Sequence, residues 1–551
     1  MSATRRKPGA PFRFNRNGSG SIVLPPRPLR LAGGAGIALA IAALVVLILW
    51  SIAAAASVEP ETARTAIDIP HLLAMTSIQA GLTAVLSITV GTALAWALNR
   101  LRFPGRDLVV GLFASAIVTP GIVVAFGLLA VWGRSGWVNA LAQAVFGAPL
   151  DIPVFGLGGI LAAHLILDGA FAARILLTRL DAIPAARIKT GQSLALSAWQ
   201  RFAVIDWPAI RGTIPGLAAI IFLLAFTSFP VVLLLGGGPA NQTLEVAIYT
   251  AVRLDFDLYG AVILALVQIG VCATVVLAAA ALAPIPPSLG PSRGQRWSDA
   301  PPARLVQRLV LFLCVLGFAL PLAAILLDGL GGGLAALLQR PAFWRAAGTS
   351  LVIATLSAAL ALLLALILCL GRAATPGLAL RTGIGVPAYA YLAVPAVVLA
   401  LGFFLLVRRL GLDPAAAAPM VVVLANALLA LPFAVATLGP PLDAIARSRA
   451  RLIRSLGLSG TRQFTHIEWP LIGRDAGVVL ALAFCFSLGD LGVIALFGTQ
   501  DFATLPLLMV RALGAYRTND AAAIAALMLC LTIAAFVIIP RLFGSAADAR
   551  A

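Results

Sequence analysis

Charge is scarce in this chain. Only 11% of its 551 residues are Asp, Glu, Lys or Arg, and 61% are hydrophobic, whereas a soluble globular domain carries about 25% charged residues. An ordinary soluble fold is excluded. Acidic side chains are the rarer sign, 21 against 39 basic, for a net charge of +18. The basic residues sit in short clusters between apolar runs and make no single basic face, which argues against nucleic acid as a partner. The three histidines, His71, His164 and His466, have neither H-x-x-x-H nor H-E-x-x-H spacing, and the five cysteines each lie alone in an apolar run. No metal site, redox pair or catalytic set is indicated, and no cofactor motif is present. There is also no G-x-x-x-x-G-K-[ST] loop, so the chain cannot cradle nucleotide phosphates in the P-loop manner.

What is abundant is long apolar sequence. Twelve stretches, near 31–56, 72–98, 108–131, 156–178, 212–236, 258–283, 305–328, 346–371, 384–407, 415–438, 475–498 and 520–543, each approach the roughly 20 residues that carry a helix across a bilayer. The expectation is an all-α polytopic membrane protein with about twelve transmembrane helices. The first run follows Arg5, Arg6 and Lys7 but is too long for a signal peptide, so it reads as a retained helix. With the N-terminus inside, thirty Lys and Arg fall on inward segments and nine on outward ones, which places both termini in the cytoplasm. Arg408-Arg409 is the one outward cluster that opposes this and marks a span boundary to check.

The stretch from Pro284 to Pro302 is polar and proline-rich and reads as a linker. The expected organisation is a basic tail (1–30), a six-helix half (31–283), a cytoplasmic linker (284–304), a second six-helix half (305–543) and a short tail (544–551).

The two halves share a repeat. At an offset of 262, Leu180-Asp181-Ala182 aligns with Leu442-Asp443-Ala444, Arg187 with Arg449, Ser193-Leu194 with Ser455-Leu456, and Trp207-Pro208 with Trp469-Pro470, without a gap. The stretch is mixed in composition, so chance matching of apolar residues does not explain it. Six crossings per half send both halves into the membrane in the same sense, around a shared pathway. Further out the register drifts, with Ser77 and Ser350 separated by 273 and Pro120 and Pro395 by 275. In the second copy Ile445, Leu452, Ile453 and Leu456 predict one apolar helical stripe, with Arg447, Arg451 and Arg454 opposite. A helix lying on a membrane surface would look similar, but duplication of the element favours docking of a paired partner.

The segments 185–208 and 447–470 resemble the cytoplasmic EAA loop of ABC importer permeases, in which a small-residue helix leads to a glycine and, thirteen residues later, a proline. Gly457 and Pro470 keep that spacing, Ala195 and Pro208 keep it with alanine at the glycine position, and the usual glutamate is absent from both copies. Phe103-Pro104-Gly105-Arg106, VWGRSGW (131–137), LGGGP (235–239) with LEVAIY (244–249), and LGDLGVIALFG (488–498) with TLP (504–506) further resemble the fused permease of the thiamine and thiamine diphosphate importer. The resemblance implies a type I ABC importer fold in a bacterial inner membrane, without catalysis or cofactor of its own. It implies two separate ATPase subunits under the loops 181–211 and 443–474, and a periplasmic binding protein delivering substrate. Arg187, Leu194, Ala195, Pro208, Arg449, Leu456, Gly457 and Pro470 become the expected coupling residues. Ferric iron permeases share the architecture and supply the alternative substrate.

Polar groups inside the spans are costly in lipid and by default face a pathway or a partner. Asp168, Asp490 and Asn426 are the candidates to line a route, with Gln268 also inside an apolar run. An acidic wall suits the fixed positive charge of thiamine. In the structural alternative, His164 holds Asp168 from one turn earlier and backbone groups near Gly489 and Gly492 hold Asp490. An ion-coupled carrier or an intramembrane enzyme leaves the duplicated loop unexplained.

Overall fold

The computed structural model describes residues 27–57, 67–116, 118–150, 152–281, 297, 299–375 and 377–548. Most of the expected basic tail and linker, Arg64 and the last three residues lie outside them. The described residues are helical with no strand, as a chain without water to satisfy its backbone requires. Among the described residues ten helices are long and apolar enough to cross a membrane, and eleven if a pair bent by 65°, Ala198–Ile210 with Ile214–Phe226, counts as one. The chain is an all-α polytopic membrane protein.

Eight of the twelve apolar runs form single helices, and four are broken. The breaks divide Arg106–Ser115 from Gly121–Trp132, Ile214–Phe226 from Phe229–Leu235, Leu378–Tyr389 from Ala396–Arg409, and Trp469–Leu488 from Gly492–Phe497. They fall in the third and fifth run of each series of six. Pro120 and Pro395 each immediately precede the second piece of a broken run, where proline suits a helix start. Hydropathy registers apolar length and is blind to such breaks.

Helix packing uses small residues, as expected where lipid offers no hydrophobic drive. The Ile69–Arg100 helix lies along Leu157–Asp181, and a Cβ at Gly91 would come within 2.6 Å of the Ala172 Cβ. Pro341–Ala373 packs similarly on Pro414–Ser448 and Trp469–Leu488. The leading helix of each series crosses over to the other. Pro28–Ala56 packs on Pro341–Ala373 and Ala396–Arg409, while Pro301–Asp328 packs on Ile69–Arg100 and Gly121–Trp132.

One local expectation needs correction. The stripe through Ile445, Leu452, Ile453 and Leu456 is not one continuous face: the long helix ends at Ser448, a new one starts at Ala450, and Leu452 and Leu456 are exposed. Arg408 and Arg409 end their helix, with Arg409 stacked 4.6 Å from the Trp50 ring near the far end of the 28–56 helix.

Candidate coupling loops and central layer

The two repeated loops carry the same elements in the same register from 198 and 460 onward. Ala198–Arg201 and Gly460–Gln463 are short helices, and each runs into a π-turn, Phe202–Asp206 and Phe464–Glu468, ahead of Trp207-Pro208 and Trp469-Pro470. All of these elements are displaced by 262 positions. π-turns are rare in helices and concentrate at functional sites. Each places a phenylalanine beside the tryptophan, with centroids 6.3 Å apart for Phe202 and Trp207 and 5.7 Å for Phe464 and Trp469.

Before each π-turn stands a short helix, Ala185–Ser193 or Ala450–Ser455, followed by a left-handed residue. That residue is Gly457 (φ 61°) in one copy and Ala195 (φ 48°) in the other. The αL region suits glycine and costs alanine about 1–2 kcal/mol, so the glycine of the repeat answers to backbone geometry that the first copy keeps under strain. Ser197 and Gln200 form a capping box after Ala195, whereas Ser459 starts its helix without a side-chain cap. Ile188, Ile205, Ile453 and Ile467 turn inward and are buried. Leu194 and Leu456 remain 66% and 58% exposed. Arg187, Ala195, Pro208, Arg449 and Gly457 are also exposed, and Pro470 is half-buried.

Ionic contacts that sequence reading missed hold each loop to the bundle. Asp206 pairs with Arg100, and burial pushes its carboxyl up to about 6 against the pull of that guanidinium. Its counterpart Glu468 accepts from Arg30 Nη1 at 2.7 Å and Nη2 at 2.9 Å. Arg201 donates to the Trp297 carbonyl at 2.8 Å and stacks 4.5 Å from that indole, and Asp299 lies 3.7 Å from Arg201 and 3.8 Å from Arg100. One step outward, Asp181 accepts from Asn99 at 2.9 Å and Asp443 from Arg372 at 3.0 Å. The signal was available: at the offset of 262, an acidic residue precedes Trp-Pro in both copies.

The pathway candidates separate. Asp168 is buried and bound to His164 at 3.1 Å on its own helix, the arrangement of the structural alternative. Asn426 donates to Ser487 at 2.9 Å and stands beside Asp490, which accepts from the Val493 N–H at 3.3 Å. Next to Asp490, a Cβ on Gly489 would fall 2.8 Å from Pro120. The broken fifth run of the second series therefore meets the broken third run of the first.

Glu245 joins this layer. It is fully buried at the start of Leu244–Arg253, accepts from Gln268 at 2.9 Å, and faces the Val397 N–H in the first turn of the 396–409 helix. Its Oε2 and the Gln268 Oε1 have no hydrogen-bond partner among the described residues. The adjoining backbone is fixed symmetrically: the Leu244 N–H donates to Thr76 at 3.0 Å and the Leu505 N–H to Ser350 at 2.7 Å. Thr76 and Ser350 differ by 274, which puts Thr76, not Ser77, opposite Ser350. Glu245 lay inside the LEVAIY string as its only charge, a signal the sequence reading left unused.

Comparison with known proteins places these features. The chain is 36% identical over 475 residues to a thiamine transport system permease protein of Brucella melitensis, covering 86% of this chain and 87% of that protein. It is 37% identical over 484 residues to the one of Escherichia coli, covering 86% and 89%. A molybdenum transport system permease protein of Azotobacter vinelandii is 28% identical over 169 residues, 31% of this chain and 74% of its own. No family model matches the chain. Similarity at this level along nearly the whole length, over a helical bundle with repeated loops, means that the chain belongs to the family of thiamine transport system permeases.

Proposed function

We propose that this chain is the permease subunit of an ATP-driven importer in a bacterial inner membrane, passing thiamine or thiamine diphosphate between two six-helix halves, 31–283 and 305–543. The loops 181–211 and 443–474 lie in the cytoplasm with both termini, and each receives one copy of a separate ATPase subunit. A periplasmic binding protein delivers substrate at the far end. The observation that carries the reading is the pair of loops in one 262-residue register, each with an exposed leucine, Leu194 or Leu456, at its tip.

Closure of the two ATPases pushes on both tips. Asp206 and Glu468 carry the displacement into Arg100 and Arg30 on the spanning helices. The broken runs around Pro120, Gly489 and Pro395 are where the halves give way. Glu245 and Asp490, opened by that movement, offer carboxylates to a cationic thiazolium ring.

Uptake of labelled thiamine is compared in cells lacking the chain and in the same cells supplied with it. Restored uptake that stops on ATP depletion and resists an uncoupler is the expected result. Equal uptake in both strains removes thiamine as substrate and points to ferric iron or another solute, and collapse with the uncoupler removes the ATP-driven mechanism.

A further inference from the structure

Between the loop end of the Pro301–Asp328 helix and the segment 100–109 opens a cavity of about 590 Å³. Four arginines line it, Arg100 and Arg102 from one wall and Arg304 and Arg308 from the other, and it continues along Leu311, Phe312 and Val315. On the 301–328 helix these residues fall at i, i+4, i+7, i+8 and i+11, a single stripe. The stripe is basic at the loop end and apolar for the next two turns, over roughly 16 Å at 1.5 Å per residue.

The repeat shows that this groove is built. At an offset of 274, Pro28-Leu29-Arg30-Leu31 aligns with Pro302-Ala303-Arg304-Leu305, and Gly34 with Arg308. In the other half Arg30 is engaged by Glu468, and Gly34 packs so closely on Gly371 that a Cβ there would come within 2.8 Å of the Gly371 Cα. The corresponding carboxylate here, Asp206, is taken by Arg100 instead. Arg304 is thereby released, and an arginine replaces the glycine that closes the other half. Among the described residues neither Arg304 nor Arg308 makes an ion pair, and the Arg304 Nε is buried without a hydrogen-bond partner.

We propose that this groove binds one anionic phospholipid, its phosphate among Arg102, Arg304 and Arg308 and an acyl chain along Leu311, Phe312 and Val315. Basic pockets between spanning helices are the usual seats of anionic headgroups. The order of the stripe, charge first and hydrocarbon deeper, matches the ligand's own polarity. Free phosphate has no use for the apolar part.

The full-length chain, purified with its partner subunits, is tested by native mass spectrometry with equal amounts of phosphatidylglycerol and phosphatidylcholine. Phosphatidylglycerol is expected to be retained preferentially, with R304Q/R308Q lowering the preference ~30-fold. Equal retention of both lipids overturns the proposal, as does a double variant that retains phosphatidylglycerol unchanged or loses the ATPase subunits instead. Displacement by millimolar inorganic phosphate as effective as by the lipid also overturns it. Should the double variant not fold, Phe312→Trp provides a second reading. Its fluorescence is expected to be quenched more by phosphatidylglycerol brominated on the acyl chain than by the equivalent phosphatidylcholine, and equal quenching refutes the site.

Discussion

Replacing Glu468 by Gln removes the charge that binds the second loop to the opposite series of helices. The Arg30 guanidinium meets this carboxylate with two nitrogens, at 2.7 and 2.9 Å, and both side chains are largely buried, at 15% and 6% exposed. Hydrogen bonds to charged groups contribute about 1.5–3 kcal/mol each. A glutamine keeps one acceptor but sacrifices the ionic part, so the loss amounts to about 2 kcal/mol, a factor of about 30 in the equilibrium between attached and detached loop. Because the contact joins the base of the second loop to a spanning helix of the first series, detachment should dissociate ATP hydrolysis from transport. In proteoliposomes with ATPase and binding protein, Glu468→Gln is expected to hydrolyse ATP at near the parental rate while substrate uptake falls several-fold. The exchange R30E/E468R should recover part of the uptake, and a double-mutant cycle should give a coupling energy near 2 kcal/mol. Additive losses, with no recovery in the exchange, would refute the tether.

Ala195→Gly relieves a positive φ and should raise the thermal unfolding temperature of the purified complex slightly, for about 1 kcal/mol or less, whereas Gly457→Val should lower it. Gly91→Leu drives a side chain into Ala172 and the Ala173 backbone and should cost about 3 kcal/mol, read as loss of monodisperse protein on size exclusion. Glu245→Gln should leave assembly and basal ATPase activity intact while raising the KM for thiamine uptake, and an unchanged KM removes Glu245 from the pathway. Leu194→Asp and Leu456→Asp should each reduce ATPase co-purification, and retention of a full complement in the double variant would remove the loop tips as docking sites.

Much of this architecture was legible in the sequence because it rests on two strong signals, apolar length and a gapless repeat. The repeat located Leu194, Leu456, Gly457 and both Trp-Pro pairs, and even the substitution Ala195 proved to occupy a glycine's backbone position. Less legible were features created by contact between distant segments. The local pairing of Asp168 with His164, one turn away, was by contrast already one of the two arrangements the sequence offered. Glu245 reached the centre only because its helix meets Gln268 and the start of the 396–409 helix. The four helix breaks were invisible to hydropathy, since proline and glycine are common in membrane helices that do not break.

The exchange of leading helices bears on how the molecule is made. The ribosome delivers 28–56 first, but that segment's packing surface, on 341–373 and 396–409, emerges hundreds of residues later. Until then only 258–281 of its own series is there for it to lie against. The packing of the first series is therefore completed only by helices of the second.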